Sequence, residues 1–147
     1  IPLMILNCLS GKELPVYGDG QQIRDWIYVE DHCQALVQVL LKGIPGERYN
    51  IGGVAAIQNL DLIEQLCALI DEAAPHLPMR PCRKLITFVK DRPGHDRRYA
   101  LDSSKIRDSL GWSPQFSLLE GLGRTINWYM THRTWWEPII DSPKGFY

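Results

Sequence analysis

Ile23-Arg24-Asp25-Trp26-Ile27-Tyr28-Val29-Glu30-Asp31 changes character part-way along. Ile23 to Val29 is rich in β-branched and aromatic residues, as a strand is. Glu30 and Asp31 then place negative charge where the first amides of a helix point, and a helical pattern follows to Lys42, with Gly43 as its stop. Val29, Cys33, Leu36, Val37, Leu40 and Leu41 recur at spacings of three and four, giving one apolar stripe. Ile44-Pro45-Gly46 turns the chain, and Glu47 to Ile51 reads as a second strand ended by Gly52-Gly53. Strand, helix and strand joined by short loops predict an α/β fold with parallel pairing.

Toward the N-terminus, Leu3 to Leu9 is helical in pattern and Gly11 suits the left-handed residue that closes a helix. Leu14-Pro15-Val16-Tyr17 is a short extended run, and Pro15 marks it as an edge strand. Gly18-Asp19-Gly20 makes a turn. It is not a dinucleotide fingerprint, because the third glycine is missing and a strand follows in place of the phosphate-capping helix.

Toward the C-terminus, Asn59 caps a helix from about Leu60 to Ala73, with Leu60, Ile63, Leu66, Cys67 and Ile70 on its inner face and Pro75 beyond its end. His76 to Lys84 is an irregular connection, and Leu85 to Val89 is β-like. Asp102 caps a short helix, Ser103 to Leu110, with Gly111 behind it and Trp112 folding back. Ser117-Leu118-Leu119-Glu120 matches a capping box and opens a helix through Met130 whose inner face is Leu118, Leu122, Ile126 and Tyr129. From Trp135 to Tyr147 no periodicity is evident.

A chain of 147 residues, 45% hydrophobic, fits one globular domain or a large piece of one. With 16 basic and 17 acidic residues the net charge is −1, so no overall field recruits nucleic acid or anionic lipid, and any anion site must be local. Cys8, Cys33, Cys67 and Cys82 form no Cys-x-x-Cys pair. Cys33 and Cys67 fall in helical patterns as buried free thiols, which points to a reducing, cytoplasmic setting. The histidines show no metal-ligand spacing, and no apolar run is long enough to span a membrane. The opening Ile1-Pro2-Leu3, without an initiator Met, reads as a cut inside an element, so a fragment of a longer chain is expected.

Chemistry concentrates in Asp91-Arg92-Pro93-Gly94-His95-Asp96-Arg97-Arg98-Tyr99. Pro93 and Gly94 force a tight change of direction after a strand. Arg92 here and Arg24 upstream belong to separated segments that can converge on one anion, and arginine offers a planar fork of donors suited to diphosphate oxygens. Each also has a plainer role open to it: an ion pair with Asp25 or Asp91 for the arginines, a backbone contact in the turn for His95, half-buried packing for Tyr17, and a helix cap for Asn59.

Pro15-Val16-Tyr17-Gly18-Asp19-Gly20, Arg24-Asp25-Trp26-Ile27-Tyr28-Val29-Glu30-Asp31, Tyr49-Asn50-Ile51-Gly52-Gly53, the run from Asp91 to Tyr99, and Leu110-Gly111-Trp112 occur in that order. Together they resemble the C-terminal half of the dTDP-glucose 4,6-dehydratases, extended short-chain dehydrogenases/reductases acting on nucleotide sugars. The likeness implies an α/β fold in which residues 1–147 form the nucleotide-sugar-binding portion, with some elements belonging to the Rossmann layers of an NAD-binding half that lies outside these residues. It implies that Arg24 and Arg92 hold phosphate oxygens, and that Pro15, Tyr17, Asn59 and His95 help to line the nucleotide-diphosphate end of the site. In the intact enzyme it implies oxidation of the sugar at C4 by NAD, loss of water across C5–C6 and return of the hydride to C6. The family's Tyr-x-x-x-Lys is absent: Gln21, His32, Gly53, Ser103 and Arg133 stand four residues after the candidate tyrosines. No catalytic residue is therefore assigned, and the chain alone is expected to be inactive. A nucleotide-sugar epimerase or decarboxylase of the same superfamily, or a non-catalytic sugar-nucleotide-binding or assembly module, are the competing readings. A dTDP-sugar is the expected partner, and apolar faces left bare by the absent half predict a homo-oligomer.

Overall fold

The computed structural model describes residues 1–53 and 55–140. In chain order the elements are α1 (Pro2–Ser10), β1 (Leu14–Tyr17), β2 (Ile23–Trp26), α2 (Val29–Lys42), β3 (Ala55–Gln58), α3 (Asn59–Ala73), a 3₁₀ turn (Cys82–Leu85), β4 (Ile86–Val89), α4 (Ser104–Leu110), α5 (Leu118–Thr131) and α6 (Arg133–Ile140). Gly11 and Gly111 close α1 and α4 at φ 65° and 68°, a region that costs glycine nothing. The predicted capping box opens α5: the Glu120 amide donates to Ser117 Oγ at 3.3 Å, and the Ser117 amide donates to Glu120 Oε2 at 2.9 Å.

The mixed α/β class holds, but the pairing differs from the strand–helix–strand prediction. β1 pairs with β4 in parallel, from Leu14 opposite Ile86 to Tyr17 opposite Val89. β2 pairs with β3 antiparallel, from Ile23 opposite Gln58 to Trp26 opposite Ala55. Glu47 to Ile51 is not a strand. A strand needs a neighbour, and here Tyr49 instead packs toward α4 beneath the Lys105 ammonium while Asn50 Nδ2 donates to the Asp102 carbonyl. The strand that follows α2 begins beyond Gly52-Gly53. A Cβ on Gly53 would collide with the Trp26 carbonyl, so glycine lets the returning chain lie against β2.

The main core joins α1, α3 and α5 to β1 through Ile5, Leu14, Val16, Leu66, Ile70 and Ile126, all at most 2% exposed. A smaller core between α2 and α4 holds Ala35, Ile106 and Trp112. Because α2 meets α4 through Ala35 and Val39, its broad apolar stripe faces outward. Cys33 is consequently exposed, contrary to expectation, whereas Cys8, Cys67 and Cys82 are buried free thiols. Asn59 is the first residue of α3 and makes no side-chain cap; Gln58 occupies the cap position. α4 starts at Ser104, one residue later than expected, with Ser103 and not Asp102 at the cap position, although Asp102 Oδ1 accepts the Ser104 amide. The tail also folds further than its composition suggested. α6 contains Pro138, and buried Trp136 donates its Nε1 to the Tyr129 carbonyl at 2.7 Å. The rest of that tail, 141–147, lies outside the described residues. Among those described, no helix is long and apolar enough to cross a membrane.

Candidate functional site

Parallel pairing brings the carboxyl ends of β1 and β4 to one side, the side on which open α/β sheets bind ligands. There β1 runs into Gly18-Asp19-Gly20, and β4 runs into the arginine loop. Gly18 has φ +60°, and a Cβ on it would stand 2.7 Å from Asp91 Oδ2, so the turn and the loop touch only because residue 18 lacks a side chain. The Gly18 amide donates to the Val89 carbonyl at 2.9 Å.

The loop then docks along the second edge of β2. The Ile23 amide donates to the Arg97 carbonyl at 2.8 Å, and the Tyr99 amide donates to the Ile23 carbonyl at 3.0 Å. Ile23 and Arg98 form a parallel bridge. The two arginine-bearing segments predicted to converge are thus joined backbone to backbone.

Arg24 reaches across this junction. Its Nη1 donates to the Ile23 carbonyl at 2.7 Å, its Nη2 donates to the Asp96 carbonyl at 3.0 Å, and the guanidinium lies 4.6 Å from the centre of the Tyr99 ring. Two of its five N–H donors are engaged in this way. Arg92 is exposed, and among the described residues neither arginine forms an ion pair, so the pairing with Asp25 or Asp91 is not made. Both guanidiniums are near enough to the Tyr99 phenol to pull its titration downward; its hydrogen bond to Asp96 outweighs them and pushes it up.

Asp91 pairs instead with His95, Oδ1 to Nδ1 at 2.7 Å, and also accepts the Arg92 amide at 2.9 Å and Gln22 Nε2 at 3.0 Å. The His95 contact, first among several causes, holds the Asp91 carboxyl below the ordinary carboxylate range. Arg97 clamps the turn, with Nη1 2.9 Å from both oxygens of Asp19 and Nη2 donating to Gln21 Oε1 at 2.7 Å.

Pro15, Tyr17 and Asn59 line one cavity of about 190 Å³ with Trp26, Leu62 and Ile63. Arg24, Arg92 and His95 are not in its lining; Arg24 is on β2, and Arg92 and His95 are in the arginine loop after β4. The six predicted residues therefore fall into two groups, one lining the cavity and one on β2 and the arginine loop. A larger cavity, about 480 Å³, is lined by Trp26, Tyr28, Asp31, Phe116 and Tyr129 among others. Asp31, fully buried there, accepts the Gln115 and Phe116 amides at 2.9 and 3.1 Å, which is a structural duty.

The Gly18-Asp19-Gly20 turn does not fit a dinucleotide phosphate. Its Gly18, Gly20 and Gln21 amides donate to the Val89 carbonyl, the Tyr17 carbonyl and the Asp19 carboxylate. Sequence reasoning missed Gln22 and misjudged Asp91. A glutamine before a strand gives no sign that it will be buried, since its neighbours there arrive from 69 residues away.

The sequence model described as GDP-mannose 4,6 dehydratase matches residues 1–125. A dTDP-glucose 4,6-dehydratase of Neisseria meningitidis serogroup B is 54% identical over 144 residues, which cover 97% of this chain and 41% of that protein. A crystal structure of the Bacillus anthracis dTDP-glucose 4,6-dehydratase in complex with NAD superposes with a TM-score of 0.81 at 42% identity, covering 93% of this chain and 40% of that one. A UDP-glucose 4-epimerase of Thermotoga maritima, solved with UDP-glucose, gives a TM-score of 0.70 at 30% identity over 87% of this chain and 38% of that one. The chain thus spans about 40% of the length of the dehydratases it resembles.

Proposed function

The chain belongs to the GDP-mannose 4,6-dehydratase family, and from that premise we propose that it supplies the nucleotide-diphosphate side of the substrate site of a dTDP-glucose 4,6-dehydratase. The observation that supports this reading is the backbone docking of the arginine loop on β2, which joins the segments that carry Arg24 and Arg92, while Pro15, Tyr17 and Asn59 share one cavity. In this reading the two arginines and His95 bind the diphosphate, and Pro15, Tyr17 and Asn59 hold the nucleoside. A dehydratase is favoured over an epimerase by identity, 54% and 42% against 30%.

NAD, which would supply the hydride chemistry at the sugar, is held outside these 147 residues in this reading: the Gly18-Asp19-Gly20 turn has its amides engaged, and Gly121-Leu122-Gly123 lies inside α5. These residues bind and orient; they include no group assigned to proton transfer. The enzyme acts in the cytoplasm, as a homo-oligomer.

Calorimetric titration of dTDP into the chain tests the reading. Binding is expected, and Arg92→Ala should weaken it about ten- to a hundredfold, the worth of one charge-assisted hydrogen bond. Unchanged affinity in both Arg92→Ala and Arg24→Ala would remove the diphosphate assignment.

A further inference from the structure

Gln22 is polar yet only 3% exposed. Its carbonyl accepts the Asn59 amide at 2.9 Å, and its Nε2 donates to Asp91 Oδ2 at 3.0 Å. One residue therefore ties the start of α3, which walls the smaller cavity, to the arginine loop. An ionised carboxylate only accepts, so the amide must turn its NH₂ to Asp91. That orientation leaves Gln22 Oε1 buried without a partner, a cost that the contact to Asp91 offsets.

The same reasoning fixes His95. Asp91 Oδ1 stands 2.7 Å from Nδ1, and because it can only accept, Nδ1 carries the proton. The side chain is 7% exposed. Its Nε2 has no protein partner among the described residues, yet it is not one of the buried unpartnered atoms, so it is the ring nitrogen open to a ligand. With Nδ1–H committed to Asp91, Nε2 is a lone-pair acceptor in the neutral ring and a donor only in the imidazolium. A diphosphate oxygen accepts and cannot donate.

From this geometry we propose that Gln22 and Asp91 are positioning residues for the diphosphate: they hold His95 so that it engages as an imidazolium, donating Nε2–H to a phosphate oxygen. The inference rests on the reading above that a nucleotide diphosphate binds here. The other ionisable groups at this end of the strands are Tyr17, Lys90, Arg92 and Arg98, the Asp19–Arg97 ion pair, Asp96 with Tyr99, and Arg24. None of them makes a hydrogen bond to the His95 ring among the described residues.

The test is calorimetric titration of dTDP-glucose, a diphosphate diester that does not itself titrate near neutrality, into the 147-residue chain. Affinity should fall about ten- to a hundredfold as pH rises from about 5 to about 8. Asp91→Asn should move that fall to lower pH, Gln22→Leu should move it the same way by less, and His95→Gln should flatten it. Arg92→Ala should weaken binding at every pH and keep the slope. A flat or rising profile in the unaltered chain, or an unshifted one in Asp91→Asn, would overturn the relay while leaving the binding reading intact. Absence of binding at any pH would remove both. Nitrogen NMR of the His95 ring gives a second readout that needs no variant: neutral His95 protonated at Nε2 would also overturn the relay.

Discussion

Arg24 and Arg92 carry the same charge and differ in what the fold asks of them. Arg24 holds two carbonyls, Ile23 and Asp96, and so fastens the arginine loop to β2, while Arg92 has no side-chain ion pair among the described residues. Arg24→Ala should therefore lower both the melting temperature and the affinity for dTDP. Arg92→Ala should lower affinity with the melting temperature unchanged, and Arg92→Lys should restore only part of it, since an ammonium lacks the two-pronged geometry. Parallel thermal melts and titrations check the split; equal loss of stability in both alanine variants would contradict it. Acid exposes a second residue-scale effect. The folded Asp91 carboxyl lies below its ordinary value of 3.8, so it stabilises the protein above that value, and the contribution is lost as pH falls through the folded value. Melting temperature should fall less steeply with acid below pH 3.8 in Asp91→Asn than in the unaltered chain. At this scale the meeting of the two arginine-bearing segments was legible, because arginine announces its chemistry by type. Gln22 was not, because a neutral amide becomes informative only when long-range folding buries it against a carboxylate.

At the scale of elements, what is written locally was readable and what depends on distant partners was not. The Ser117–Glu120 box and the closures at Gly11 and Gly111 lie within a few residues of the helix ends they serve. Ser117→Ala should cost about 1 kcal/mol, read from thermal or denaturant unfolding. β3 and the irregular Glu47–Ile51 segment show the opposite case. Tyr49 and Ile51 favour a strand more than Ala55-Ala56-Ile57-Gln58 does, yet only the segment after Gly53 reaches a partner, because only there can the chain close on the Trp26 carbonyl. Gly53→Ala should accordingly disrupt the β2–β3 pair and with it the docking of the arginine loop, seen as lost dTDP binding and a lowered melting temperature. Full stability in that variant would mean the close approach is not needed. The outward stripe of α2 was readable as a stripe, but its orientation was not: periodicity tells that a helix has an apolar face and not which neighbour covers it.

That stripe sets the behaviour of the whole molecule. Leu40 is 83% exposed, Leu41 72%, Ile44 64% and Val29 63%, with Leu36 and Val37 about half exposed on the same helix. Contiguous apolar surface of this kind marks an association site, since water gains by its removal wherever two such faces meet. The chain on its own is therefore expected to self-associate, its scattering mass rising with concentration above that of one chain. Leu40→Lys with Leu41→Lys should reverse this. Both side chains are solvent-facing, so the folded core is spared, and cations in the last turn of a helix favour its dipole. Light scattering of the two proteins decides the matter, with calorimetric dTDP binding as the control that the variant has kept its fold. A concentration-independent monomer for the unaltered chain, or association undiminished in the double lysine variant, would show that the α2 face is not what draws copies together.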